Sequence, residues 1–238
     1  MTYIRRSLRL YLANRSWALY TPLYILGIMT MFSVIIAGII GISVGYPLPD
    51  DIVQNMRYNG GALYAPPGFL FSVGVLAMNR NFSMALAFGS TRRDLWLGTS
   101  IGFLITSTLV GLGSLVFLAL ERATDHWFIG ARAFDVQFLA EGDLVRTFTT
   151  MFLLAILSLY AGAFFGTVFR AFGTVWTAVS AILVTLALLG VIALAVWQSS
   201  LTSELWDSLG AWLLLNIAAV LALLAAAGSY AVNRRAVV

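Results

Sequence analysis

The run YTPLYILGIMTMFSVIIAGIIGISVG, Tyr20 to Gly45, carries no formal charge over 26 residues. A helix rising ~1.5 Å per residue needs about 20 apolar residues to cross a ~30 Å hydrocarbon core, so this run can span a membrane by itself. Five further apolar runs follow at 61–78, 95–120, 146–169, 174–197 and 210–231. The expectation is an all-α integral membrane protein, a single transmembrane domain over 1–238 with six transmembrane helices. Pro66-Pro67-Gly68 interrupts the second run and Asn79-Arg80-Asn81 cuts it off. A kinked or partly unwound helix is expected there, its freed carbonyls satisfied by neighbouring helices or water.

Composition agrees with the spans. The 238 residues are 61% hydrophobic and 10% charged, against roughly 25% charged in a soluble domain, and the mean hydropathy is +0.92. Cysteine is absent, which removes disulfides, zinc thiolates, iron–sulfur clusters and a cysteine nucleophile. All 14 basic residues are arginine, so a Walker A lysine, a Schiff-base lysine and a Ser-Lys dyad are excluded as well. The chain cannot hydrolyse ATP by itself, and its arginine-only, Ala/Leu/Val-rich usage hints at a GC-rich bacterial genome.

Charge is distributed unevenly between the two sides that six spans define. With the termini lie Arg5, Arg6, Arg9, Arg15, Arg80, Arg92, Arg93, Arg170, Arg234 and Arg235 against the single acid Asp94, a net +9. The other side carries Arg57, Arg122, Arg132 and Arg146 against Asp50, Asp51, Glu121, Asp125, Asp135, Glu141, Asp143, Glu204 and Asp207, a net −5. Arginine-rich loops stay on the cytoplasmic side, so both termini are expected there. No charge falls in the middle of a span, where a proton- or sodium-coupled transporter keeps a carboxylate. A cleaved signal peptide is not expected either, because the first apolar run is far longer than the ~7–15 residues of a signal core.

Residues 1–19 read as an amphipathic elbow helix. Ile4, Leu8, Tyr11 and Leu12 recur at helical spacing while Arg5, Arg6 and Arg9 occupy another sector, the pattern of a helix lying in the membrane interface. Between the second and third spans, Asn81 as N-cap and Gly89 as C′ residue bracket a predicted two-turn helix from Phe82 to Phe88. Phe82, Met84, Leu86 and Phe88 leave it apolar nearly all round, so it must bury itself in headgroups or in a partner. Ser90-Thr91-Arg92-Arg93-Asp94 follows and opens the third span.

The run Ala85-Leu86-Ala87-Phe88-Gly89-Ser90-Thr91-Arg92-Arg93-Asp94-Leu95-Trp96-Leu97-Gly98 resembles a segment of the membrane subunits of the ABC-2 type transporter permease family. The overall plan is similar too: about this length, a basic elbow, six spans and cytoplasmic termini. The resemblance implies that 81–93 is a coupling helix docking into a groove of a separate ATP-binding subunit. Asn81, Phe82, Leu86 and Phe88 would be its docking residues, with Arg92 and Arg93 the membrane-proximal clamp. It further implies a second permease subunit, identical or paralogous. No cofactor would be bound by this chain, with ATP and Mg on the partner subunit, in a bacterial cytoplasmic membrane. A small apolar helix with an arginine pair independently suits a groove with an apolar floor and an acidic rim.

Small residues allow close helix approach in lipid, and Gly162-Ala163-Phe164-Phe165-Gly166 is such a motif in the fourth span, with Gly38, Gly41, Gly45, Ala218, Ala222, Ala225 and Ala226 as further candidates. They serve packing within one subunit as readily as a dimer seam. By the family likeness, the first and fifth spans would face the partner subunit and the cavity. Thr174, Thr177 and Trp176 could line that cavity at the cytoplasmic end, where a weakly polar wall suits a hydrophobic or amphipathic cargo such as a drug, peptide or lipid. The external stretch from Glu121 to Val145 reads as an interfacial helix or cap with Trp127, Phe128, Phe134 and Phe138. The stretch from Ser199 to Leu209 reads as another interfacial piece. Intramembrane catalysis lacks its residues, since the only histidine, His126, falls in an external loop and no serine has a nucleophile-elbow context. No nucleic acid is expected as a partner. The competing function is a non-transporting membrane protein, an immunity factor that sequesters a peptide, or a channel.

Overall fold

A computed structural model describes residues 2–139, 141–198 and 212–234, together with Ser203, Ser208 and Leu209. Among them there is no strand. The α-helices that lie wholly within the described residues are, in chain order, α1 (Thr2–Ala13), α2 (Thr21–Val44), α3 (Asp50–Met56), α4 (Gly61–Ala87), α5 (Arg92–Ala123), α6 (Leu144–Trp197) and α7 (Trp212–Asn233). Five stretches are long and apolar enough to cross a membrane, namely Ser16–Val44, Leu63–Ala87, Arg92–Ala123, Leu144–Trp197 and Trp212–Asn233. Most of the 199–211 stretch, with Leu201, Leu205, Trp206 and the expected start of the last span, lies outside the described residues.

Two compact units are formed, one by Met1–Tyr11, Phe71–Ile101 and Leu157–Val238, the other by Leu12–Leu70 and Gly102–Ile156. In the first, glycines let backbones touch. A methyl group on Gly162 would land on the Phe71 carbonyl, one on Gly166 would crowd Val75, and one on Gly74 would strike the Leu159 carbonyl. The Gly162/Gly166 motif is thus consumed by packing α6 on α4 inside one chain, reinforced by the Phe71 and Phe165 rings with centroids 5.8 Å apart. Gly98 does the same for α1, since a Cβ there would lie 2.6 Å from Ser7 Cβ and 2.7 Å from the Ile4 carbonyl. The face of α1 that packs is therefore Ile4, Ser7, Leu8 and Tyr11, with Arg5, Arg6 and Arg9 exposed.

The second unit is built on a buried stripe of α2, Pro22, Leu26, Thr30, Ser33, Ala37 and Gly41, recurring every three or four residues. A π-helical turn, Ser16–Tyr20, precedes it, and Thr106 Oγ1 donates to the Ala18 carbonyl at 3.0 Å. The stripe ends where Tyr46 folds back over Gly41 and donates its hydroxyl to the Gly38 carbonyl at 3.1 Å. Ala37 then packs with Leu48 and Ala131, joined by Val53, Met56 and Trp127.

Three sequence expectations are corrected. Helix α4 runs without a break through Pro66-Pro67. The two prolines stand near the N-terminus, so their missing N–H groups take away only the bonds to the Ala62 and Leu63 carbonyls, and the helix continues to Ala87. The same helix continues through Asn79-Arg80-Asn81 to Ala87, so Asn81 is an interior residue and not an N-cap, and Phe82 to Phe88 is no separate helix. Third, of the two readings of the stretch from Glu121 to Val145, helix or cap, the interfacial helix does not form. Phe134 is fully buried, stacked on Phe117 at 5.6 Å, and Asp125, His126, Trp127 and Phe128 form a left-handed turn with φ of 47°, 58°, 60° and 62°.

At 54 residues α6 would measure about 81 Å if straight, more than twice a hydrocarbon core. It is broken at Gly173 (φ 83°, ψ −175°), a region of backbone space open essentially to glycine alone. Two arms result, 144–172 and 174–197. No residue of the second arm is buried.

Candidate functional site

The segment that the sequence marks for docking closes α4 and opens α5. Its turn is a Schellman motif: Ser90 N–H donates to the Ala85 carbonyl at 3.0 Å and Gly89 N–H to the Leu86 carbonyl at 2.9 Å. Gly89 takes φ +76°, the left-handed C′ position assigned to it. Helix α5 is capped in return. Asp94 N–H donates to Thr91 Oγ1 at 3.1 Å and the Thr91 hydroxyl donates to Asp94 Oδ2 at 2.7 Å, which places an acid in the first turn where the helix dipole favours it. Two capped helix ends thus hold a tight, rigid corner.

Around this corner the predicted residues divide by direction. Phe82 is fully buried and packs with Ala85 and Leu95, joined by Leu10, Leu86 and Ala171. Arg92 turns back into the chain, its Nη1 donating to the Arg234 carbonyl at 2.9 Å while its own carbonyl accepts from Asn233 Nδ2 at 2.9 Å. Phe88, 66% exposed, and Arg93 face outward. Asn81 is half-buried in the helix. The outward surface of the corner is Phe88, Met84 and Arg93, with Phe82, Leu86 and Arg92 turned inward or half-buried.

Sequence reasoning missed the brace behind Phe82. Arg170 sets its guanidinium 4.4 Å from the centroid of the Phe82 ring and donates from Nη1 to the Asn79 carbonyl at 3.1 Å. That cation over an aromatic face is what carries α4 through its polar triplet. Arg170 stands three residues before the Gly173 break, so the corner and the break share one contact network. Only a contact across 91 positions of sequence makes Arg170 more than a topological arginine.

Thr174, Thr177 and Trp176 begin the second arm of α6. Thr174 and Trp176 face outward, the latter 60% exposed, and Thr177 returns its hydroxyl to the Gly173 carbonyl at 2.9 Å. The structure does not bring these three to the docking corner.

A second polar cluster lies in the other unit. Glu121, without exposed surface, accepts backbone N–H groups from Ala133, Phe134 and Asp135 at 2.8–3.3 Å. Asp135 is paired with Arg132, has His126 Nε2 at 3.0 Å and Arg122 Nη2 at 3.9 Å. Burial would raise the Asp135 carboxyl, but the hydrogen bond from His126 and the charges of Arg132, His126 and Arg122 together hold it below its ordinary value. His126 is therefore a structural partner and not a bystander. Three cationic or donor groups on one carboxylate, beside a carboxylate that accepts three amides, make a lock for the left-handed turn. Among the described residues no group of His, Asp and Glu could hold a metal ion. No family model matches the chain, and neither a curated protein nor a solved structure does.

Proposed function

We propose that this chain is the membrane-spanning subunit of an ATP-binding-cassette exporter. It would move a hydrophobic or amphipathic substrate across a bacterial cytoplasmic membrane, powered by ATP hydrolysis on a separate subunit. The reading rests on the capped corner at 85–94, whose outward residues are an aromatic and an arginine and whose inward residues reach the Gly173 break through Arg170. If the two arms of α6 are two crossings, the five apolar stretches would make six, and with six the arginine excess favours cytoplasmic termini. Closure of the ATP-binding subunits pushes on Phe88 and Arg93. Phe82 and Arg170 pass that push to Gly173, where a bend costs least, and the arm 174–197 tilts. That arm is apolar and unpacked within the chain, a surface for lipid and for a second permease subunit whose pairing with it encloses Thr174, Trp176 and Thr177.

The absence of cysteine makes a direct test available. A photo-crosslinker attached to F88C is expected to capture a protein carrying a G-x-x-x-x-G-K-[ST] phosphate-binding loop in native membranes, whereas the same label on F128C, in the stretch that the charge distribution of the sequence leaves outside, captures none. Labelling of that ATPase from both positions, or from neither, contradicts the docking role.

A further inference from the structure

Beside the corner at 85–94, and sharing Phe88 with it, lies a groove whose two arginines the proposed coupling does not use. Its walls are α1 and the last turn of α4, its volume is about 370 Å³, and its lining includes Arg6, Arg9, Leu10, Ala85, Phe88 and Ser90. None of the lining residues is acidic, and among the described residues neither Arg6 nor Arg9 belongs to an ion pair. Arg6 instead rests 5.4 Å from the centroid of the Tyr3 ring, which holds its stem along α1. The groove is built in advance of any ligand, because α1 is seated on Gly98 with no room for a methyl group between them.

Depth and chemistry identify the occupant. Ala85, Phe88 and Ser90 belong to the end of α4 and the threshold of α5, two helices long and apolar enough to cross a membrane. The groove is therefore at the level where hydrocarbon gives way to headgroups. Two guanidinium groups at its rim match a phosphodiester in charge and in donor geometry, and Leu10, Ala85 and Phe88 offer an apolar floor to the first methylenes below it. We infer that this groove is a binding site for the phosphate headgroup of an anionic membrane lipid, which ties the elbow helix to the docking corner. The inference needs the chain to lie in a membrane and is independent of what drives transport.

The test is lipid retention by the full chain, reconstituted in nanodiscs of phosphatidylcholine with phosphatidylglycerol and released into native mass spectrometry. The variant R6Q/R9Q is expected to retain about tenfold less phosphatidylglycerol than the wild type, the order expected for losing charge-assisted hydrogen bonds to one phosphate. R5Q/R15Q, which removes the same charge from exposed positions outside the groove, should lower retention clearly less than R6Q/R9Q does. R6K/R9K, which preserves charge, should keep most of it and shows that the fold survives substitution there. Equal loss in R6Q/R9Q and R5Q/R15Q would mean diffuse attraction and overturn the site, as would wild-type retention in R6Q/R9Q. Displacement of the lipid by millimolar inorganic phosphate would make the occupant a free anion and overturn the lipid assignment.

Discussion

At Glu121 a carboxylate with no exposed surface accepts three successive backbone N–H groups. Replacing it by Gln puts an NH2 donor where two of those amides point, leaving a buried donor pair facing each other. E121Q should therefore cost about 1–3 kcal/mol, read as a lower thermal midpoint in detergent with the spans still inserted. A midpoint equal to the wild type would mean the carboxylate is not holding the turn. Asp135 makes a second prediction at this scale. Its folded value lies below its ordinary one, so its stabilising contribution is complete above about pH 4 and is lost as pH falls through the folded value. D135N should then melt earlier than the wild type at neutral pH, and the gap between them should shrink when the titration of midpoints passes below about pH 4. Neither residue's role was legible in the sequence. Glu121 pairs with amides and not with a cation, so nothing marked it apart from the other external acids, and His126 sits nine residues from the carboxylate it serves.

At the scale of elements, local signals were legible where the cause is local. Gly89 is the left-handed residue closing α4 because the amides that need it are its own neighbours. What failed was a boundary decided at a distance. Asn79-Arg80-Asn81 looks like a stop, yet Arg170 binds the Asn79 carbonyl and covers Phe82, so the helix goes on. R170A should loosen 79–88, seen as faster amide hydrogen exchange there, while exchange in α2 stays unchanged. Gly173 carries the companion prediction. A built Cβ meets nothing within 4 Å there, so G173A acts through backbone strain alone, about 1–3 kcal/mol, and favours a straight α6. Spin labels on F169C and L189C, in a chain otherwise free of cysteine, should move toward the ~30 Å of twenty residues of unbroken helix. An unchanged distance would show that Gly173 is no hinge.

For the whole molecule, the sequence conveyed the membrane class and the candidate crossings because both follow from length and composition. It also paired Gly162 with Gly166 as a contact motif. Which surface that motif meets was invisible, since a small-residue stripe looks the same whether its neighbour is α4 of the same chain or a second subunit. Packing of Gly162 against the Phe71 carbonyl occupies that motif within the chain, whereas the arm 174–197 has no buried residue. The account's central claim is that the corner at 85–94 receives a separate ATPase. It is tested most directly by purifying the tagged chain from its native membranes in mild detergent and assaying the eluate for ATP hydrolysis and stoichiometric companions. The account expects a co-purifying protein with a phosphate-binding loop and an ATPase activity that both disappear in F88D/R93E, at unchanged yield and monodispersity of the chain. A lone oligomer without ATPase in the wild type, or an ATPase that remains bound to F88D/R93E, would contradict it.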